Sequence, residues 1–165
     1  MAVRLRLLML CLAGAVLGLG CAGSTSAPPP TPRSDFSGRA SAQRVEIVRV
    51  AESMIGRPYR YGGASPSGFD CSGLVQFSYA KAGVDGLPHS ARALESQAQA
   101  VAIEDLQPGD LLFFHLSGRK AYHVGIYIGG REFVHAPSSG KRVERVSFDH
   151  VYWGKRVRLA GRLLP

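Results

Sequence analysis

Residues 106–135 have the sequence LQPGDLLFFHLSGRKAYHVGIYIGGREFVH, and this stretch decides the fold class. The proline, glycine and aspartate at 108–110 are typical of a turn, and runs rich in Leu, Val, Ile, Phe and Tyr follow it. Gly129 and Gly130 separate two of these runs, which predicts a β-hairpin. With two further runs nearer the C-terminus, the expected strands are five, at residues 111–115, 123–128, 132–135, 142–146 and 156–163.

The part of the chain before this stretch has helical patterns instead. Val45, Val48, Ala51 and Ile55 recur at helical spacing, and the glycine and proline that follow end the helix. A loop rich in Gly, Ser and Pro comes next, at 59–69. Because helices come first and strands after them, we expect an α+β domain in which N-terminal helices pack on a central antiparallel sheet. The expected helices cover residues 44–55, 71–82 and 90–98.

The first 21 residues have the features of an export signal. Two arginines precede an apolar run at 7–19 that is too short to span a bilayer comfortably. Cys21 follows directly after Gly20, which resembles a bacterial lipobox, whose cysteine is acylated and becomes the mature N-terminus. Gly18 stands where a lipobox usually has leucine, so plain cleavage and retention of the run as an anchor are the alternatives.

The rest of the chain is predicted to divide into a tether and a domain. Residues 22–43 are rich in Pro, Ser, Ala and Gly, which predicts a disordered tether that spans at most roughly 70 Å. The folded domain is expected at residues 44–165. Ala22 rather than an aspartate follows Cys21, which favours sorting to the outer membrane. We therefore expect a lipid-anchored protein of the cell envelope, on the periplasmic face of the outer membrane.

Composition and charge limit the function classes. The 165 residues are 45% hydrophobic and 19% charged, which indicates one globular domain rather than a disordered chain or a disulfide scaffold. The formal net charge is +8, and residues 141–165 carry seven basic and two acidic side chains. Because the chain is expected to be exported, nucleic acid is not an expected partner. The basic stretch either binds anionic wall polymer or lipid headgroups, or is a solvated strand face.

Cys71 is the candidate nucleophile. A buried, inert cysteine is the alternative, but unpaired thiols are uncommon in exported proteins. Cys71 has no partner once Cys11 is removed with the signal and Cys21 is acylated. Cys71 also opens a predicted helix, where unsatisfied backbone N–H groups favour a thiolate and are expected to lower the pKa of the thiol.

A thiolate nucleophile needs a base and, ideally, a third group that orients the base. Of the five histidines in the chain, His123 and His135 lie in the predicted hairpin. A strict two-residue turn at Gly129-Gly130 would pair His123 with Ala136 and put His135 on the opposite face. One bulge or an odd-length loop would put the two imidazoles side by side, so a Cys–His–His triad requires that irregularity.

Five motifs occur in order along the predicted domain. They are YRYGG at 59–63, GFDCSGLV at 68–75, LQPGDLLFF at 106–114, HVGIYIG at 123–129 and FVHA at 133–136. Together they resemble the NlpC family of papain-like cysteine peptidases, which cut bacterial peptidoglycan peptides. The resemblance runs from residue 44 to about residue 146. It implies a papain-like α+β fold and a cell-wall endopeptidase, here as a lipoprotein member of the family.

The resemblance implies that Cys71 is the nucleophile, His123 the general base and His135 the polar residue that orients the base. The implied reaction hydrolyses an amide bond in a stem peptide or cross-link through a thioester on the cysteine. The implied partner is therefore the peptide part of peptidoglycan. We expect no cofactor and no metal, and we expect the protein to be a monomer.

The resemblance also implies residues that bind substrate. It places Tyr59 beside the nucleophile, where the phenol assists the oxyanion or the substrate. It places Asp70 and Ser72 on either side of Cys71, where they line the groove and can hold a peptide amine or amide. His89 departs from the family pattern, in which many members have Arg or Thr, and this departure concerns the substrate rather than the reaction class.

Three alternatives remain open on sequence grounds. Cys71, His123 and His135 could bind zinc, although structural zinc sites usually bring closely spaced Cys or His pairs. The domain could instead be a non-catalytic module that holds cell-wall peptides, or a lipid acyl transferase of the same fold superfamily. All three triad positions are filled, which favours the enzyme over the binding module. No extra apolar segment of the kind that an acyl transferase would need is present near the site.

Overall fold

The computed structural model of the chain describes residues 33–116 and 122–165, with side chains from residue 38 onward. The predicted signal peptide, Cys21 and the first part of the predicted tether lie outside the described residues. None of the described helices is both long enough and apolar enough to cross a membrane.

The described residues contain the predicted three helices before the main strands, with a two-stranded pair between the first and second helices and a short fourth helix before the last strand. The helices are α1 (Arg33–Ser53), α2 (Cys71–Lys81), α3 (Ala91–Gln97) and α4 (Val151–Gly154). The strands are β1 (Ala64–Ser65), β2 (Gly68–Phe69), β3 (Gln99–Val101), β4 (Leu111–His115), β5 (Tyr122–Gly129), β6 (Glu132–His135), β7 (Glu144–Ser147) and β8 (Val157–Arg162). The predicted second and third helices are confirmed to within one residue at each end.

Six of the described strands form one antiparallel sheet in the order β3-β8-β4-β5-β6-β7. This confirms the predicted α+β fold, in which helices pack on an antiparallel sheet. The prediction of five strands missed β3, an edge strand of three residues. Gln99 and Ala100 are exposed there, so no alternation of apolar and polar residues marks the strand. Strands β1 and β2 pair with each other inside the segment that was predicted to be a loop.

Helix α1 begins at Arg33, so residues 33–43 of the predicted disordered tether are helical. The composition of this segment hid the helix, because its small and polar side chains leave little apolar pattern. Ala40 is buried at 6% exposure, and it lies one helical turn before the buried Arg44. The packing of Ala40 onto the domain therefore accounts for helical structure before the predicted start.

The buried face of α1 also differs from the predicted one. Ile47 and Ala51 are fully buried, whereas Val45 is 68% exposed and Ile55 is 41% exposed. The spacing correctly indicated the helix and includes the buried Ala51, but it is offset from the buried face because a charged residue, Arg44, occupies a buried position on that face. A search for apolar spacing skips such a position and selects a neighbouring stripe instead.

The sheet buries a separate core on each of its faces. The alternation of side chains along β4 explains the division, because successive residues of a strand point to opposite faces. Leu111 and Phe113 pack against the side that carries α1, α2 and α3. Leu112 and Phe114 pack into a smaller cluster on the other side, where Trp153 of α4 covers them.

The turn between β5 and β6 lies one residue later than predicted. Gly130 and Arg131 have φ angles of 58° and 59°, and positive φ at both central residues is what a type I′ turn requires. Arg131 is the only described non-glycine residue with positive φ. Its guanidinium is bound by the carboxylate of Asp149, which helps to hold this conformation.

A bulge next to this turn sets the register of the hairpin. Tyr127 pairs with Phe133, but Gly129 pairs with Glu132, which leaves Ile128 as an extra residue on β5. A shift of one residue exchanges the faces of all side chains on a strand. The irregularity that a Cys–His–His arrangement requires is therefore present in the structure.

A fully buried carboxylate ties α1 to the C-terminal strand. Asp110 accepts hydrogen bonds from Arg44 Nη1, Arg162 Nη2 and the Gln107 N–H, each at 2.8 Å. Burial by itself would raise the pKa of Asp110. The hydrogen bonds from Arg162, from the Gln107 N–H and from Arg44 outweigh burial and hold that pKa below its ordinary value. Asp110 was expected only to shape a turn, but it also holds two elements that are distant in sequence.

The basic stretch at 141–165 is partly neutralised by acids from other parts of the domain. Three of its seven cations form such ion pairs: Arg145 with Glu52, Arg158 with Glu95, and Arg162 with Asp110. The stretch therefore contributes to holding the domain together and is only in part a free basic surface.

Replacement of Asp110 by Asn is expected to lower the free energy of unfolding by about 3–5 kcal/mol, because two guanidinium groups lose their buried counter-charge. The folded-state pKa of Asp110 is depressed. The stability that Asp110 contributes is therefore complete above the pKa of the unfolded carboxyl, near 4. It is lost as the pH falls through the lower pKa of Asp110 in the folded state. Urea unfolding between pH 7 and pH 2 measures both effects. Asp149→Asn, which breaks an exposed pair with Arg131, is the matched control. A loss at Asp110 no larger than at Asp149 would contradict this assignment.

Candidate active site

Asp70 caps the N-terminus of α2 and thereby places Cys71 as the first helical residue. Its backbone is extended, and its Oδ1 accepts hydrogen bonds from the Gly73 N–H at 2.7 Å and from Ser72 Oγ at 3.0 Å. A side-chain oxygen in this position satisfies one of the free N–H groups of a helix start. Cys71 is a free, partly exposed thiol.

The Asp70 carboxylate also fixes two segments outside the helix. Oδ2 accepts a hydrogen bond from the Gly62 N–H at 2.9 Å, and Oδ1 lies 3.0 Å from Nε2 of His89. Both oxygens are thus engaged within the protein. A Cβ atom at Gly73 would lie 2.0 Å from the carbonyl oxygen of Gly63, so only glycine permits this close approach of the loop to the helix.

Burial dominates the chemistry of the Cys71 thiol. It raises the pKa of the thiol to about 11, and the negative charge of Asp70 adds to the rise. Hydrogen bonds from the backbone N–H groups of Val124, Ser72 and Cys71 lower the pKa but do not outweigh burial. The N–H groups at the helix N-terminus therefore lower the thiol pKa as expected, but they do not bring it below its ordinary value. A thiolate at neutral pH needs a positive charge close to the sulfur.

His123 and His135 lie side by side on the same face of the β5–β6 hairpin. Nε2 of His123 is 2.8 Å from Nδ1 of His135, and the two rings are nearly perpendicular, at 84°. His135 is fully buried. Burial, followed by the nearby His123 and Lys141, lowers the pKa of His135 to about 2, so this ring is neutral at physiological pH. The contact orients the His123 ring and brings no charge of its own.

Trp153 packs against both imidazoles, which the sequence did not suggest. Its ring stacks on His123 with centroids 5.4 Å apart and an interplanar angle of 29°, and its centroid is 4.6 Å from that of His135. The helix that carries it has four residues, too few for a periodic pattern. The stacked indole ring packs against one face of the His123 imidazole.

Cys71 and His123 line the same cavity, which has a volume of about 510 Å³. The backbone N–H of Val124 is close enough to the Cys71 sulfur to lower the pKa of the thiol, so the start of α2 lies against the strand that carries His123. Tyr59, Asp70, Ser72 and His89 line the cavity as well, whereas His135 lies behind His123 and does not. Burial, with the charges of Cys71 and Asp70, raises the pKa of Tyr59, so its phenol stays protonated. His89 was singled out only as a departure from the family pattern.

A larger cavity of about 660 Å³ lies elsewhere, between β8, α4 and the turn after β5. It contains none of the candidate catalytic residues, and its two arginines, Arg131 and Arg158, pair with Asp149 and Glu95. The smaller cavity is therefore the one that contains the candidate catalytic residues. Within residues 33–116 and 122–165, no group of three or more His, Cys, Asp or Glu side chains is placed to hold a metal ion.

Comparison with known proteins places this site in a family. The model of the NlpC/P60 family matches residues 56–162. The chain belongs to the NlpC/P60 family. Over 155 residues it is 38% identical to the probable endopeptidase NlpC of Escherichia coli K12, which covers 93% of the chain and 97% of that relative. The family membership and the six-stranded sheet both indicate an NlpC/P60-type α+β domain.

Other NlpC/P60 relatives are longer proteins. The chain is 46% identical over 110 residues to the probable endopeptidase Rv2190c of Mycobacterium tuberculosis, and this covers 67% of the chain and 28% of that relative. It is 37% identical over 132 residues to the murein DD-endopeptidase MepH of Escherichia coli K12, which covers 76% of the chain and 49% of that relative. The chain thus spans between about a quarter and a half of these two relatives.

Solved structures of the NlpC/P60 family have the same fold. The NlpC/p60 domain of the peptidoglycan hydrolase SagA superposes with a TM-score of 0.62 at 33% identity, over 72% of this chain and 97% of that one. A Staphylococcus aureus Mu50 protein described as similar to lipoprotein gives a TM-score of 0.67 at 36% identity, over 74% of this chain and 42% of that one.

Replacement of His123 by Ala is expected to leave Cys71 protonated at neutral pH, because the burial that raises the thiol pKa is then unopposed by a positive charge. The unsubstituted protein should hold a thiolate near neutral pH. The ultraviolet absorbance of the thiolate, taken as the difference between each protein and its Cys71→Ser counterpart, measures this across pH. His115→Ala, at a histidine near Glu95, is the matched control. Thiolate absorbance at pH 7 in the His123→Ala protein would contradict the pairing.

Proposed function

We propose that this NlpC/P60 protein is a peptidoglycan endopeptidase that hydrolyses an amide bond in stem peptides or cross-links. The observation that carries the proposal is the 2.8 Å contact between His123 and the buried, neutral His135, at the wall of the cavity that also contains Cys71. The names of relatives support the substrate class. They include a murein DD-endopeptidase, a gamma-D-glutamyl-L-lysine dipeptidyl-peptidase of Bacillus subtilis and a peptidoglycan hydrolase.

In the proposed mechanism, the Cys71 thiolate and the His123 imidazolium form an ion pair. The sulfur attacks the scissile carbonyl carbon, and the carbonyl oxygen becomes negatively charged. The Cys71 N–H at the start of α2 is the proposed donor to this oxyanion. His123 then protonates the leaving amine, and a thioester remains on the cysteine. His123 next takes a proton from water, whose oxygen attacks the thioester carbon; the carboxylic acid product leaves and the thiolate–imidazolium pair is restored.

The other cavity residues have supporting roles in this proposal. Tyr59 keeps its proton and can donate a hydrogen bond to the substrate or the oxyanion. Asp70 has both oxygens engaged within the protein, so its proposed role toward a peptide amine is electrostatic, while Ser72 contacts the substrate backbone. His135 orients His123 and does not touch the substrate.

We further propose that Cys21 is acylated and anchors the domain to the periplasmic face of the outer membrane. The support is the lipobox-like sequence and the relative from Staphylococcus aureus that is described as similar to lipoprotein. Export places the domain next to the sacculus. The sequence between Cys21 and α1 separates the proposed anchor from the domain.

The three proposed catalytic positions are expected to differ in their effects on turnover. Cys71→Ala should abolish hydrolysis, and His123→Ala should slow it by about 10²–10⁴-fold, the range for loss of a general acid–base group. His135→Ala should slow it less, because a water molecule can partly replace a neutral orienting group. Mass analysis of soluble fragments from purified sacculi measures the rates and identifies the bond that is cut.

The same digestion separates the alternatives. Fragments cleaved within the peptide support the endopeptidase. Co-sedimentation with the sacculus without fragments would favour the binding module, and acyl transfer between lipids without fragments would favour the transferase. Equal losses for all three substitutions would contradict the assigned roles.

Acylation of Cys21 has its own test, since it is independent of the hydrolytic site. Cells that are fed labelled palmitate should incorporate the label into the full chain and not into its Cys21→Ala variant, which should leave the membrane fraction. The variant should keep its activity on purified sacculi. Label in both proteins or in neither would contradict the proposal.

A further inference from the structure

One ring nitrogen of His135 lacks the hydrogen bond that its burial calls for. Nδ1 faces His123, but Nε2 is buried and has no hydrogen-bond partner within the described part of the chain. Ser78 Oγ is the only other buried side-chain nitrogen or oxygen atom in this condition among the described residues. Buried polar atoms are nearly always satisfied, so the exception needs an explanation.

The position of the protons on the two histidines follows from the ion pair, and this step rests on the proposed function. An imidazolium has a proton on each nitrogen, so Nε2 of a charged His123 must donate to Nδ1 of His135. Nδ1 of His135 is then unprotonated. Since His135 is neutral, its single proton must be on Nε2, the atom that lacks a partner.

Glu144 is the acceptor within reach of this proton. It lies opposite His135 in the β6–β7 pairing, and its Oε1 is 3.3 Å from Nε2 of His135. The contact does not have the direction of a hydrogen bond. The Glu144 side chain is 45% exposed on the edge strand of the sheet, so packing does not oppose the small rotation that would align it.

The other groups that face His135 cannot accept this proton. Phe133 and Trp153 present aromatic rings to it, and His123 is already engaged with Nδ1. Lys141, in the segment before β7, is a cation, which lowers the pKa of His135 and offers no acceptor. Glu144 is therefore the one negatively charged group that the described structure places against His135.

We propose that Glu144 is a positioning residue that accepts a hydrogen bond from Nε2–H of His135. It is then the fourth group in the series that begins with Cys71, His123 and His135. The carboxylate holds His135 in the tautomer that can accept from a charged His123. The negative charge of Glu144 also stabilises the imidazolium of His123, which lies on the other side of the neutral His135 ring. Glu144 does not touch the substrate and acts only through His135.

Two variants separate the hydrogen bond from the charge. Glu144→Gln keeps an acceptor oxygen and loses the charge, and Glu144→Ala loses both. The control is Glu132→Gln, which removes the same charge from the neighbouring strand, at a side chain that is 40% exposed and lies near Arg145. Melting temperatures of all three variants monitor the fold, and the near-isosteric Gln variant preserves the test if the Ala variant is unstable.

The primary readout is the rate at which iodoacetamide alkylates Cys71 in the full chain at pH 7, followed by the mass of its peptide. Without the carboxylate the ion pair is less populated, so the rate should fall by about three- to tenfold in Glu144→Ala and by less in Glu144→Gln. Glu132→Gln should match the unsubstituted protein. Rates for both Glu144 variants equal to that of Glu132→Gln would overturn the proposal.

Nitrogen-15 spectra of the histidine rings are a second readout, because they report which nitrogen of His135 carries the proton. A merely structural role of Glu144 would not change this signal. The unsubstituted protein should show His135 with its proton on Nε2, and a proton on Nδ1 instead would overturn the proposal. Neither readout uses peptidoglycan. The two claims can therefore fail separately. If the alkylation rate depends on Glu144 but the protein leaves sacculi intact, the proposed function is refuted and this inference is supported.

Discussion

The extra residue at Ile128 is the constraint on which the site depends. With regular pairing, His135 would point toward the helices, and His123 would have no imidazole beside it. With the bulge, both rings lie on the face that Trp153 covers, and Nε2 of His123 meets Nδ1 of His135 at 2.8 Å. The left-handed turn at Gly130-Arg131 closes the hairpin in this register.

Two aspartates hold the elements that face this hairpin. Asp70 caps α2 and binds the loop before it, which places the Cys71 sulfur against the backbone of β5. Asp110, at the start of β4, holds the first helix and the last strand through Arg44 and Arg162. Neither carboxylate reacts in the proposed mechanism. Each holds helices, strands or loops whose positions determine where the reacting groups lie.

The electrostatics of the site favour a charge pair over isolated charges. Burial disfavours a lone thiolate on Cys71 and keeps His135 neutral. A thiolate and an imidazolium that form together stabilise each other. In the proposed mechanism, the thiolate of Cys71 therefore depends on His123 in addition to the N–H groups of the helix N-terminus.

Much of this arrangement could be predicted from local patterns. The fold class, α2, α3 and the hairpin follow from periodicity and from turn residues, and the need for a bulge follows from counting residues between the histidines. The family resemblance added the order of the site residues. These inferences succeeded because each depends on a short segment or on a motif.

The features that were missed depend on contacts between distant segments. Arg44 occupies a core position because Asp110 neutralises it 66 residues later, so apolar spacing selected a face of α1 that is offset from the buried one. The raised pKa of Cys71 results from burial by the whole domain. Trp153 reaches the histidines from a four-residue helix that no periodic pattern marks. Glu144 lies on a predicted strand, but the sequence did not show that this strand pairs with β6 and brings Glu144 to His135.

The most direct test of the central claim is the detection of the acyl intermediate on Cys71. Purified muropeptides would be incubated with the full chain, quenched in acid at short times and digested, and the mass of the Cys71 peptide would be measured. We predict a thioester adduct of the acyl half of the cleaved bond, confined to this cysteine and absent from the Cys71→Ser protein. Cleavage that proceeds at an undiminished rate in the Cys71→Ser protein, with no adduct at any time, would contradict the claim.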